Sequence, residues 1–68
     1  MTKFGSRLRE LRIEKGLSQH GLALELKFGQ SSISDWESGK VDAPATVIVA
    51  VADYFDVSAD YLLGRKEF

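Results

Sequence analysis

The stretch QHGLALELKFGQSSISDWE, residues 19–37, decides the fold of this chain. Leu22, Ala23 and Leu26 in its first half, and Ile33 and Trp36 in its second half, recur at the spacing of one helical face. Two short amphipathic helices this close together bury both faces only by folding back on each other. The sequence therefore predicts a tight helix pair with a turn at residues 27–29.

The outward side of the second helix carries short polar groups with hydrogen-bonding capacity and very little apolar surface. They are Gln30, Ser31, Ser32, Ser34 and Asp35. This composition favours a face that forms hydrogen bonds with a partner over one that packs in a core.

The turn itself has an unexpected residue. A turn this tight favours a positive φ directly after the first helix, yet Lys27 stands there and Gly29 follows two residues later. Either Lys27 adopts the strained conformation, or the first helix continues to Phe28 and the next begins near Ser31. We expect the first alternative, because the spacing from Ala23 to Ile33 keeps both apolar faces in register. Residues 30–38 are then a helix with Gly29 as a weak N-cap.

Three further helices are predicted around this pair. The first covers residues 3–15, with Phe4 and Leu8 on its apolar face and charged side chains such as Arg7 mostly in solvent. The fourth covers residues 44–55 and begins with Pro44; its apolar positions follow a helical face although many are β-branched. Ser58 caps a short fifth helix that ends at about residue 63. Residues 65–68 are expected to fray.

Length and composition indicate one domain over residues 1–68, with its core within residues 4–64. A chain of 68 residues has a small core, and its lack of cysteine excludes disulfides and thiolate metal sites. The formal charge is −1 and the pI is about 5.7, so bulk charge gives no argument for a polyanionic partner. No apolar run is long enough to span a membrane, and we expect a cytoplasmic protein.

The chain resembles the lambda-repressor-like (Cro/Xre) helix-turn-helix family. The resemblance covers about residues 4–64 and rests on RLRELRIEKGLSQ at 7–19, WESGK at 36–40 and ADYFDVSADYLLG at 52–64. It implies an all-α, compact five-helix DNA-binding domain with a helix-turn-helix at helices 2 and 3. It also implies a transcriptional regulator, with repression expected, that binds a pseudo-palindromic double-stranded DNA operator as a homodimer.

The resemblance assigns roles to individual residues. Bases would be contacted by Gln30, Ser31, Ser34 and Asp35, and the DNA backbone by Gln19, Ser32, Ser38 and Lys40. Arg12 and Glu37 match a pair that forms a buried ion pair in similar proteins. Surplus apolar residues suggest a dimer interface at Val47, Val49, Tyr61 and Leu63.

Alternative functions remain open on sequence grounds. A protein-interaction module, such as an antitoxin or an anti-repressor partner, would keep this fold with weak DNA binding. An enzyme is not expected, because the chain has one histidine, no glycine-rich phosphate loop and no plausible carboxylate pair. His20 stands alone, so neither a metal site nor a catalytic base is predicted; no cofactor and no small-molecule substrate are indicated.

Overall fold

The computed structural model describes residues 2–68, and these residues form five α-helices with no strand. The helices are α1 (Lys3–Glu14), α2 (Gln19–Leu26), α3 (Gln30–Ser38), α4 (Ala45–Phe55) and α5 (Ala59–Leu62). The predicted all-α fold with a close α2–α3 pair is confirmed. No helix within residues 2–68 is both long and apolar enough to cross a membrane.

Hydroxyl side chains cap three of these helices. Thr2 Oγ1 accepts a hydrogen bond from Gly5 N at 3.0 Å, and Ser18 Oγ accepts one from Gly21 N at 2.9 Å. Ser58 Oγ accepts from Tyr61 N at 3.0 Å. Each hydroxyl satisfies a backbone N–H that has no partner within the first helical turn. Pro44 is the N-cap of α4, so this helix begins at Ala45, one residue later than the sequence predicted.

The α2–α3 turn is built on Lys27, which adopts the left-handed conformation with φ 62° and ψ 37°. Phe28 N then donates to Ala23 O at 3.0 Å, which closes the end of α2. α2 stops before Phe28, and α3 begins at Gln30 with Gly29 as its N-cap. The first of the two alternatives for this turn is therefore the one observed.

The core is formed by one cluster to which all five helices contribute. Leu8, Leu22, Ile33, Val51 and Leu62 are completely buried at its centre. Trp36 is also buried, and the ring of Phe28 meets its indole edge-on at a centroid distance of 5.3 Å. Ile33 and Trp36 thus pack α3 against the body of the domain.

The predicted dimer residue Val47 lies in this core and is only 5% exposed. Its inclusion in a dimer surface was wrong. Surplus apolar residues on α4 were assigned to a partner, but the α4 face that includes Val47 and Val51 is covered by the rest of the domain. Val49 is 55% exposed and Leu63 is 46% exposed, so these two remain on the surface.

Arg7 was predicted to lie in solvent, and it is instead buried. Its Nη1 donates to Tyr61 O at 2.6 Å and to Lys66 O at 2.7 Å, while its guanidinium carbon lies 4.1 Å from the centroid of the Tyr61 ring. In the tail, residues 65–68, Phe68 O also accepts a hydrogen bond from Ser58 Oγ at 3.2 Å; that these residues fray stays a prediction. One arginine on α1 therefore joins the end of α5 and the tail to the first helix.

Candidate nucleic-acid interface

α3 has an anchored side and an open side. Ile33, Trp36 and Glu37 are buried against the domain, at the i, i+3 and i+4 positions of one helical face. Gln30 and Ser31 at the start of the helix and Ser38 at its end are exposed. Gln30 and Ser31 therefore face outward, as the sequence predicted, and the domain's own later helices do not cover them.

The remaining polar residues of α3 border the open side. Ser32, Ser34 and Asp35 are half-buried, so their side chains are accessible at the margin of the helix. Within residues 2–68, Asp35 forms no ion pair, and a neighbouring arginine does not neutralise its carboxylate. Asp35 consequently leaves a hydrogen-bond acceptor available beside the serine hydroxyls.

The ion pair expected between Arg12 and Glu37 is present, and it joins α1 to α3. Arg12 Nε lies 2.7 Å from Glu37 Oε2, and Arg12 Nη2 lies 3.0 Å from Glu37 Oε1. The side chains are 12% and 4% exposed, respectively. Arg12 Nη1 also donates to Leu17 O at 2.9 Å, in the connection between α1 and α2. A bidentate pair of this kind fixes an orientation, because it forms in only one geometry.

Gln19, at the first position of α2, belongs to the same network. Its Nε2 donates to Glu37 Oε1 at 3.2 Å. A primary amide carries a second N–H and a carbonyl oxygen, so this bond orients the side chain without using all of its donors and acceptors. Glu37 is thus held by both Arg12 and Gln19, and the start of α2 is fixed relative to α3.

Ser38 and Lys40 lie at the end of α3. Ser38 Oγ donates to Asp35 O at 3.2 Å and accepts from Lys40 N at 3.3 Å, so this hydroxyl orders the chain as it leaves the helix. Lys40 is exposed, as is Lys27 at the opposite end of α3. The exposed Asp42 follows in the loop, so an acidic residue stands two positions after Lys40.

Two residues through which other helices pack on α1 could not be assigned from the sequence. Gly5 in α1 lies directly against the end of α3, where a Cβ would overlap the carbonyl oxygen of Glu37. Arg7 holds α5 to the other side of α1. Gly5 stands inside a predicted helix, where glycine lowers helix stability. Its presence there was the one sequence signal of close packing at this position.

Comparison with known proteins agrees with this geometry. A family model described as helix-turn-helix matches residues 8–62. This chain belongs to the Cro/C1-type helix-turn-helix family. Members of the helix-turn-helix family are DNA-binding transcription regulators and not enzymes, and α2 and α3 are the helices that give the family its name.

Two curated helix-turn-helix relatives are similar over nearly the whole chain. The HTH-type transcriptional regulator ImmR of Bacillus subtilis is 33% identical over 63 residues, which are 93% of this chain and 50% of that protein. The HTH-type transcriptional activator BcrR of Enterococcus faecalis is 35% identical over 65 residues, which are 96% of this chain and 32% of that protein. The chain therefore spans half or less of the length of these relatives.

A solved structure shares the helix-turn-helix fold over almost its full length. It is the restriction-modification controller protein C.AhdI from Aeromonas hydrophila, with a TM-score of 0.80 and 38% sequence identity. The similarity covers 90% of this chain and 92% of that one.

Proposed function

We propose that this chain binds a specific sequence of double-stranded DNA by placing α3 in the major groove, and that it regulates transcription in this way. The observation that carries the proposal is the division of α3 into a buried side, held by Ile33, Trp36 and Glu37, and an open polar side that begins at Gln30. A helix held in this way presents its polar groups at a fixed angle, which base recognition in the major groove requires.

Four residues of α3 are assigned to base contacts. The amide of Gln30 offers a donor and an acceptor, which suits bidentate contact with an adenine edge. The hydroxyls of Ser31 and Ser34 can donate to or accept from bases of either kind. Asp35 can only accept when ionised, so its partner would be the amino group of cytosine, and it would disfavour other bases at that position.

Four further residues are assigned to the DNA backbone. Gln19 is oriented by Glu37 at the N-terminus of α2, where the helix dipole also favours a phosphate. Ser32 borders the open side of α3, Ser38 is the last residue of the helix, and Lys40 follows its C-cap. Of the four, only Lys40 carries a positive charge. Such contacts fix the register of the domain on the duplex but do not read its sequence.

A homodimer on a pseudo-palindromic operator is part of the proposal. Two copies of α3 would then enter successive major grooves about 34 Å apart on one side of the duplex. Val49 and Leu63 are exposed apolar residues assigned to the contact between copies. Tyr61, which is half-buried against Arg7, is assigned to it as well. Val47 is excluded because it is buried.

The proposed effect on transcription is repression, since occupying a promoter requires nothing beyond binding. A relative, BcrR of Enterococcus faecalis, is named as an activator, so activation is the alternative outcome. A reporter gene behind the selected operator would show reduced expression when the protein is supplied. Increased expression would contradict repression and leave DNA binding intact.

Selection of bound duplexes from a random pool tests the proposal. We expect enrichment of a sequence with two-fold symmetry and half-sites one helical turn apart. Sedimentation of the protein with and without the selected duplex should then show two copies per duplex. Failure to enrich any sequence would overturn specific recognition, and one copy per duplex at all concentrations would overturn the dimer.

Two observations favour a second function, that of a protein-interaction module. Leu24 is 66% exposed on α2, and the net charge of the chain is −1, which does not favour a polyanion. In that case duplex selection would enrich nothing, while a stable complex with another protein would be lost in Leu24→Ser.

A further inference from the structure

At Gly5 the backbone of α1 lies against the backbone of α3. A Cβ built on Gly5 would overlap the carbonyl oxygen of Glu37 and would lie 2.6 Å from that of Trp36. Both obstacles are backbone atoms, so no rotation of a flexible side chain could make room. A Cβ on Gly21 in α2 would instead lie 3.2 Å from the hydroxyl of Ser18, a side-chain atom at the surface.

We propose that Gly5 is a positioning residue for sequence recognition, which sets the place and angle of α3 relative to the rest of the domain. The inference rests on the proposed function, because it concerns how α3 reaches the bases. Gly5 itself touches no DNA in this account; it acts through the end of α3.

The geometry of α1 supports this role. Gly5 and Arg12 are seven residues apart, so they lie on the same face of α1, two turns from each other. Gly5 meets the main chain of Glu37, while Arg12 holds the carboxylate of the same residue at 2.7 Å. The C-terminal half of α3 is therefore fixed to α1 at two points, and Gln30 projects from the other end of the helix.

How far a Cβ at Gly5 would move α3 decides whether base recognition is lost. Ordinary contacts between carbon and a carbonyl oxygen are about 3.3–3.6 Å. A methyl group at Gly5 would therefore push the end of α3 away from α1 by roughly 1 Å. Recognition groups must stay within about 0.5 Å of their productive positions, so the displacement exceeds what direct readout tolerates.

The test compares Gly5→Ala with Gly21→Ala. Both replace a helical glycine with alanine, so their effects on helix propensity are similar, but only the first adds atoms between α1 and α3. The affinity of each folded protein is measured for the selected duplex and for a scrambled duplex of equal length. The ratio of these affinities reports recognition, whereas a loss of folded protein lowers both affinities equally.

We expect Gly5→Ala to reduce this ratio by roughly tenfold or more, which is comparable to the loss of one good base contact. Gly21→Ala should leave it unchanged. If folded Gly5→Ala keeps the ratio of the unchanged protein, the positioning role is wrong although DNA recognition stands. If the unchanged protein shows no preference for any duplex, the proposed function has failed first.

A stabilised protein is used in case Gly5→Ala alone does not fold. Lys27→Gly removes a strained backbone conformation. The double variant that combines Lys27→Gly with Gly5→Ala is therefore also compared with Lys27→Gly alone. A reduced ratio in this stabilised pair supports the proposal. If Gly5→Ala remains unfolded even in the Lys27→Gly protein, Gly5 is required for folding and does not determine the position of α3. That result overturns the proposal.

Discussion

Lys27 and Asp56 are the two residues other than glycine that adopt a positive φ within residues 2–68. Each ends a helix, at φ 62° and φ 55° respectively, and each occupies a position that glycine fills at no steric cost. The strain at Lys27 is stored in the turn that directs α3. It persists because the apolar faces of α2 and α3 are in register only when α2 ends there.

Replacing Lys27 with glycine should therefore stabilise the fold. We expect Lys27→Gly to increase the free energy of unfolding by about 1 kcal/mol, because glycine accepts the left-handed conformation without strain. Lys27→Ala is the matched control and should change stability little, since alanine has the same Cβ as lysine. Urea denaturation of the three proteins measures the difference; equal midpoints for Lys27→Gly and Lys27→Ala would contradict the account.

α1 connects the helix-turn-helix to the end of the domain. On one face, Gly5 and Arg12 contact α3; Arg7 on the opposite face binds α5 and the tail. The two arginines bind different kinds of group. Arg12 faces a buried carboxylate, whereas Arg7 mainly satisfies backbone carbonyl oxygens.

The pair of Arg12 and Glu37 should show strong coupling. Arg12→Met leaves the buried carboxylate of Glu37 without its charged partner, so we expect a loss of about 3 kcal/mol in the free energy of unfolding. The double variant Arg12→Met with Glu37→Met removes both charges and should be more stable than Arg12→Met alone. A double-mutant cycle with additive losses would show that the pair does not couple α1 to α3.

Replacing the buried Arg7 should lower the stability of the fold more than replacing the exposed Arg65. Arg7→Met loses two short hydrogen bonds from a charged donor and the contact with the Tyr61 ring, at a cost of about 3 kcal/mol. Arg65→Met is the control: its side chain is 77% exposed and lies 3.8 Å from Asp60, so about 0.5 kcal/mol or less is at stake. Thermal unfolding that is equally affected by both substitutions would refute a structural role for Arg7.

The helices were predictable because their signals are local. Apolar spacing, the cap Ser58 and the conformation of Lys27 follow from neighbouring residues, and the observed bounds differ little from those expected. Gly5, Arg7 and Val47 were not predictable. Their burial depends on which helices meet, and an arginine that satisfies carbonyl oxygens nearly 60 residues away leaves no periodic pattern.

Across the whole chain, the positively charged side chains that could contact DNA phosphates are fewer than the acidic ones. The chain has nine lysine and arginine residues against ten acidic ones. Arg7 and Arg12 face the interior, so neither is free for phosphate contact. Affinity should therefore depend more on the polar face of α3 than on neutralised phosphates.

This balance predicts a weak dependence of DNA affinity on salt. The logarithm of affinity should fall by about 0.9 per neutralised phosphate for each unit in the logarithm of salt concentration. Lys40→Ala should reduce the slope by about one such contact per subunit, whereas Lys66→Ala, beside Asp60 in the tail, should not alter it. A slope equivalent to about six or more phosphates per subunit would contradict the account.

Selection of DNA sites with Gln30→Ala shows whether α3 reads bases through its first residue. The outward amide of Gln30 is expected to specify one base pair in each half-site, and Leu24→Ala is the control on an exposed residue outside α3. We expect Gln30→Ala to lose preference at one symmetric pair of positions and to keep it elsewhere, while Leu24→Ala selects the original sequence. An unchanged preference in Gln30→Ala protein would show that α3 does not read the DNA in this way.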